Sequence, residues 1–216
     1  MFITLEGPEG SGKTTQAQHL ADWLLARGYN VLAVREPGGT ALGDAVRHIL
    51  LDFSSTQMDA RAELLLFCAA RAQLVNDKIL PHLIRGGIVV CDRFADSSLA
   101  YQGHGRGLEL DILQQVLEFA TYGLIPDLTL LLDVEVSTGL QRKTSGKDWN
   151  RLDAEALDFH HHVRNGYLSL AGNEPSRWEI INAELPFDEV ATQIQRTVTN
   201  ALKNPPTSAH HQASIT

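Results

Sequence analysis

Eight residues, Gly7-Pro8-Glu9-Gly10-Ser11-Gly12-Lys13-Thr14, carry the most specific chemistry in this sequence. They fit the pattern of a glycine, any four residues, a second glycine, a lysine and a hydroxyl residue. Glycines let consecutive backbone N–H groups turn inward on a phosphate, and a helix N-terminus behind them adds roughly half a positive charge. Lys13 is then placed for the β- and γ-phosphates of a nucleoside triphosphate, and the Thr14 hydroxyl for Mg²⁺. The context agrees: the apolar run Phe2-Ile3-Thr4-Leu5 precedes the loop, and an amphipathic stretch from Thr14 to Arg27 follows it. An ordinary glycine-rich turn is the competing reading.

Further along lie other residues able to meet a phosphorylated ligand, each with a plainer alternative. Arg35-Glu36-Pro37-Gly38-Gly39-Thr40 ends a strand in a loop facing the site, or is a turn with Thr40 as the next helix cap. Phe67 and Arg71 lie four apart on a helical run from about 58 to 85 and share a face. Together they offer a ring and a planar fork for a heteroaromatic base; otherwise Phe67 is core and Arg71 snorkels to the surface. Asp92-Arg93 ends an apolar strand: a carboxylate placed to hold Mg²⁺ through water and a clamp for a second phosphate, or a structural ion pair. Ser97, Ser98, Tyr101 and Gln102 add hydroxyls and an amide. Arg142-Lys143-Thr144-Ser145-Gly146-Lys147-Asp148-Trp149-Asn150-Arg151 has four cations in ten residues, a basic cover over phosphates or a solvated loop.

The elements that must position these residues are legible as well. Short runs rich in Val, Ile and Leu at 2–6, 31–35, 88–91, 127–133 and 178–181 alternate with longer helical stretches. Such runs suit strands buried on both faces, and the alternation predicts an α/β fold with a parallel sheet wrapped by helices. Ligands of such sheets bind at the carboxyl ends of the strands, where the loops above fall. The 216 residues suffice for one domain, expected over 1–203, with a lid at about 142–151 and a frayed tail from Asn204 onward.

Composition narrows the function classes. A net charge of −8 argues against a nucleic-acid surface, while leaving room for arginines converging in one cleft. Cys68 and Cys91 lie in apolar surroundings and read as reduced core residues of a cytoplasmic protein. No run approaches the ~20 apolar residues of a membrane span, and no targeting segment precedes the first strand. His160-His161-His162, consecutive on a helical run, point in different directions and read as surface residues.

Taken together, Gly7–Thr14, Arg35–Thr40, Phe67 through Arg71, Asp92-Arg93-Phe94 and Tyr101-Gln102-Gly103 resemble the bacterial thymidylate kinases over residues 1–203. The resemblance implies a P-loop fold with a five-stranded parallel sheet, a homodimer, and Mg²⁺-dependent transfer of the ATP γ-phosphate to dTMP. Carried across, Gly7 to Thr15 cradle ATP, with Lys13 on its phosphates and Thr14 and Asp92 on the metal. Glu9 approaches the sugar and phosphate of dTMP. Glu36 and Pro37 border that site, Phe67 stacks on thymine, and Arg71 bonds its O4. Arg93 grips the acceptor phosphate, and Ser97, Ser98, Tyr101 and Gln102 line base and sugar. The chain departs from the family in the lid: where relatives place arginines, the segment reads Thr144-Ser145-Gly146-Lys147. Lys147, Arg142 or Arg151 then supplies the lid charge. A kinase for another nucleotide, a GTP switch and an inactive binding protein are the rivals. No Asn-Lys-x-Asp motif supports a GTP switch.

Overall fold

The computed structural model describes residues 1–144 and 149–204. Five strands, β1 (Phe2–Glu6), β2 (Val31–Arg35), β3 (Ile88–Asp92), β4 (Leu128–Asp133) and β5 (Trp178–Asn182), form one sheet in the order β2-β3-β1-β4-β5. Every pairing is parallel. In chain order the helices are α1 (Lys13–Leu25), α2 (Ala41–Leu51), α3 (Ala60–Leu74), α4 (Leu80–Ile84), α5 (Ala95–Ser98), α6 (Leu110–Thr121), α7 (Val136–Thr144), α8 (Leu157–Asn173) and α9 (Phe187–Lys203).

Strand β1 is central and wholly buried, and so is β3, because helices cover both faces of the sheet. One apolar layer joins Ile3, Leu5, Val90, Leu130 and Leu132 to α1 and α9. On the opposite face Phe2, Val89 and Cys91 meet Leu74, Ile79 and Phe94. The outer strands β2 and β5 are only partly covered, as edges are, so burial on both faces belongs to the inner strands alone. Both cysteines are buried and free.

The register sets the site. Leu5 of β1 pairs with Asp92 of β3, and Arg35 of β2 pairs with the same residue. The phosphate loop, the loop after β2 and the Asp92-Arg93 step therefore leave the sheet at one edge. The helical run foreseen for 58–85 is real but widens into a π-turn at Val75–Ile79 between α3 and α4. A second wide turn, Leu99–Gly105, carries Tyr101 and Gln102. His160 differs from expectation: its ring is 3% exposed and packs edge-on against Phe159 at 5.6 Å. Among the described residues no helix is long and apolar enough to cross a membrane.

Candidate active site

The phosphate loop is shaped by its glycines. Gly12 adopts φ +84° as it caps α1, a left-handed conformation costly for any residue with a Cβ. Gly10, at φ +68°, passes so close to α7 that a Cβ would lie 1.9 Å from the Gly139 carbonyl oxygen. Inside the loop the Lys13 ammonium donates to the Pro8 carbonyl at 2.6 Å and to Ser11 Oγ at 3.0 Å. Burial, reinforced by the positive Arg93, pulls Lys13 down to about 8. An incoming polyphosphate reverses that by supplying the missing negative charge.

Thr14 donates its hydroxyl to Asp92 Oδ2 at 2.5 Å, joining the start of α1 to the tip of β3. The other oxygen, Asp92 Oδ1, is buried without a hydrogen-bond partner among the described residues. A hydroxyl beside a carboxylate with an unused buried lone pair is a donor set of hard oxygens, the kind that suits Mg²⁺.

Arg93 is the hub on the other side. Its backbone sits at φ +70°, unusual outside glycine, in a conformation that persists only where surroundings enforce it. Its N–H donates to Leu5 O, and its guanidinium donates to Gly7 O, Ser97 Oγ, Tyr167 OH, Tyr101 OH and Glu9 Oε1. Glu9 also accepts from Tyr101 OH at 2.6 Å. Burial alone would push Glu9 upward, but Arg93 and Lys13 hold it at about 2, so it is an anion throughout the working range.

Beneath Arg93 lies Glu6, a residue the sequence reading passed over. It is fully buried and accepts from Phe94 N–H, Ser97 Oγ and Tyr167 OH. Burial, and then the charge on Asp96, raises it to about 7 against the pull of Arg93. The sequence did carry a signal: a lone carboxylate closing an apolar strand directly before the glycines.

A cavity of about 650 Å³ opens over these groups. Glu9, Lys13, Thr14, Thr15, Asp92 and Arg93 line it together with Glu36, Pro37, Phe67, Ser97, Tyr101 and Gln102. Most residues singled out from sequence thus meet in one place. Several do not reach it. Arg71 is 1% exposed and spends its guanidinium on Glu36 (2.7 Å), Ser98 Oγ and the Phe94 carbonyl. Ser98 is buried behind it. Burial raises Glu36 to about 7 even with Arg71 beside it. Arg142 turns aside to donate to the Ala183 carbonyl. Arg151 is buried, bound to Glu63 at 2.5 Å and to the Leu50 carbonyl. Glu63 also accepts from Arg106 and Gln102, so this network ties α3 to the chain returning after α7. Lys147 lies outside the described residues.

The similarity of the whole chain to known proteins agrees with this geometry. The thymidylate kinase family model matches residues 5–194. The chain belongs to the thymidylate kinase family. It is 46% identical to the thymidylate kinase of Herpetosiphon aurantiacus over 90% of this chain and 93% of that one. It is 47% identical to that of Roseiflexus sp. strain RS-1 over 90% and 91%. The crystal structure of thymidylate kinase from Ehrlichia chaffeensis superposes with a TM-score of 0.75 at 34% identity, covering 92% of this chain and 98% of its own.

Beyond Glu6, the cavity lining adds Arg47 and Leu152, which sequence reasoning did not single out, to residues of the two segments it did. Arg35 and Arg47 stand beside Pro37, Arg47 donating to its carbonyl oxygen. Arg47 is an isolated arginine in an amphipathic helix, and no spacing rule marks it. Lys143, Trp149, Asn150 and Leu152 close the cavity from the α7 side.

Proposed function

We propose that this protein transfers the γ-phosphoryl group of ATP to the 5′-phosphate of dTMP, giving dTDP and ADP. Membership in the thymidylate kinase family supports the reaction. The observation that carries it in this chain is one cavity lined both by Lys13 and Thr14 of the phosphate loop and by Phe67, Tyr101 and Gln102. Donor and acceptor are then held in one space, as direct transfer without a covalent enzyme intermediate requires.

In this reading the bond between the γ-phosphorus and the bridging oxygen breaks, the electron pair leaves on ADP, and an oxygen of dTMP forms the new bond. The acceptor phosphate is already ionised near neutral pH, so the site needs alignment and charge neutralisation more than a base. Lys13 neutralises the donor chain from within the loop, and Arg93 exchanges Glu9 for the acceptor phosphate. Phe67 offers the thymine a flat apolar face, with Gln102 and Tyr101 at the polar edges. Arg71, enclosed behind the wall, positions Glu36 and Ser98. Thr14 and Asp92 would hold Mg²⁺, which when bound supplies charge stabilisation to the β- and γ-oxygens. Among the described residues no group of three or more His, Cys, Asp or Glu side chains gathers.

The working form is a homodimer, joined through the exposed apolar face of α3 and α6. Leu65, Ile112 and Phe119 are 58%, 56% and 88% exposed there.

The reaction is tested by ADP release with Mg·ATP against dTMP, dUMP, AMP, CMP, GMP and thymidine. Preference for dTMP is the expected outcome. Preference for another acceptor refutes the thymine reading, and hydrolysis that needs no acceptor refutes the kinase.

A further inference from the structure

The segment after β4 has four cations, and two of them are already spoken for: Arg142 by Ala183 and Arg151 by Glu63 and Leu50. Lys143 is placed differently, for a reason of helical phase. Gly139 is the point where α7 touches the phosphate loop; a Cβ there would lie 2.2 Å from the Glu9 carbonyl oxygen. Side chains four residues apart share one face of a helix, so Lys143 lies one turn beyond that contact, on the face turned toward the loop. It lines the same cavity as Lys13 and Arg93.

Its partner at rest is Asp153, at 3.7 Å. That is about 1 Å longer than a charge-assisted hydrogen bond, so the ammonium is attracted but not tied down. Asp153 is 1% exposed; its Oδ2 is occupied by the Asn150 backbone N–H and amide, and its Oδ1 has no partner among the described residues. Burial, and then the charge on Glu9, raises Asp153 to about 6, against the opposing pull of Lys143. Lys143 thus stands between two carboxylates, Glu9 and Asp153, at the mouth of a site built for phosphates.

We propose that Lys143 is the lid-side catalytic cation of this protein, its ammonium contacting the phosphoryl group that passes from the donor on Lys13 to the acceptor on Arg93. The assignment rests on the phosphotransfer reading above and names a residue for it. A flexible lysine stem reaches the group in flight as a point charge, where an arginine would bind as a fork. Asp153 is its resting counter-ion and takes no part in the transfer.

The test uses Lys143→Ala, Lys143→Arg and Asp153→Asn in the full chain, with two readouts. In steady-state turnover with Mg·ATP and dTMP, Lys143→Ala lowers kcat about a hundredfold with KM for dTMP little changed, and Lys143→Arg recovers most of the loss. Asp153→Asn leaves kcat within about threefold of the parent, since the pair is loose at 3.7 Å and the Asn150 N–H can still donate to the amide oxygen. In calorimetric titration with inorganic tripolyphosphate, Lys143→Ala weakens binding about tenfold. Wild-type kcat and tripolyphosphate affinity in Lys143→Ala overturn the proposal. So do equal losses of activity and melting temperature in Lys143→Ala and Asp153→Asn, which mark a structural ion pair. If the parent protein shows no dTMP-dependent turnover, the acceptor reading fails by itself. The tripolyphosphate titration then still decides Lys143: a tenfold loss supports it and an unchanged affinity overturns it.

Discussion

At the scale of single residues, the site is a set of charges that neutralise one another until ligand arrives. Lys13 is a cation whose protonation the protein has moved toward working pH. Burial, then Arg93, depresses it from 10.5 to about 8, so between those two values the empty folded protein binds fewer protons than the unfolded chain. Native stability therefore rises with pH across that window as far as Lys13 is concerned. Function runs the other way, because the neutral amine cannot hold a phosphate. The ratio kcat/KM for ATP should fall through an alkaline limb near about 8, while kcat holds to higher pH because bound triphosphate restores the charge. A pH series of both parameters checks this; a limb at the same pH in both would show that nucleotide does not reach Lys13. Arg71 shows how a residue's role changes once its partners are known. Spacing alone places it beside Phe67, but its partner Glu36 lies 35 positions earlier in the chain. A buried guanidinium of this kind fixes the carboxylate of Glu36 and the hydroxyl of Ser98 beside it.

At the scale of elements, the decisive contact is backbone against backbone, where α7 crosses the phosphate loop at Gly139 and Gly10. Gly139 lies within a regular helix, where alanine is intrinsically the better residue. Any loss in Gly139→Ala must then come from the collision of its Cβ with the Glu9 carbonyl. The substitution should cost about 1–3 kcal/mol in denaturant unfolding. It should also lower kcat/KM for ATP at least about tenfold, since Lys143 and the loop part company. A protein that is more stable and equally active would show that α7 bears lightly on the loop. The sequence revealed the elements better than their facing. Strands β1, β3 and β4 are largely apolar runs, and the glycines mark the loop between β1 and α1. Thr40, foreseen as a cap, does accept from the Gly43 N–H at 2.9 Å. A run of four cations, by contrast, carries no record of which way each side chain turns. Arg151 is buried because Glu63, 88 positions earlier, comes to lie beside it. His160 turns inward while His161 and His162 remain exposed, which three consecutive helical positions permit but cannot rank. These outcomes depend on packing between distant segments, and local pattern is blind to that.

At the scale of the whole molecule, the apolar stripe of Ile112 and Phe119 on α6, with Leu65 on α3, is the surface proposed to join two copies. Ile112→Glu combined with Phe119→Glu should convert a dimer to a monomer in sedimentation velocity, since it places desolvated charge at the centre of the contact. A parent protein that sediments as a monomer at micromolar concentration refutes the dimer. The sheet order bears on something else again. β1 and the phosphate loop come first in the chain, yet β1 lies between β3 and β4, and its Ile3 pairs with Leu128, 125 positions later. A ribosome adding about 5–20 residues per second needs roughly 6–25 s to make that interval. For that time β1 has been synthesised without both of its neighbours, so the strand that leads into the phosphate loop is made first and is enclosed only when β4 arrives.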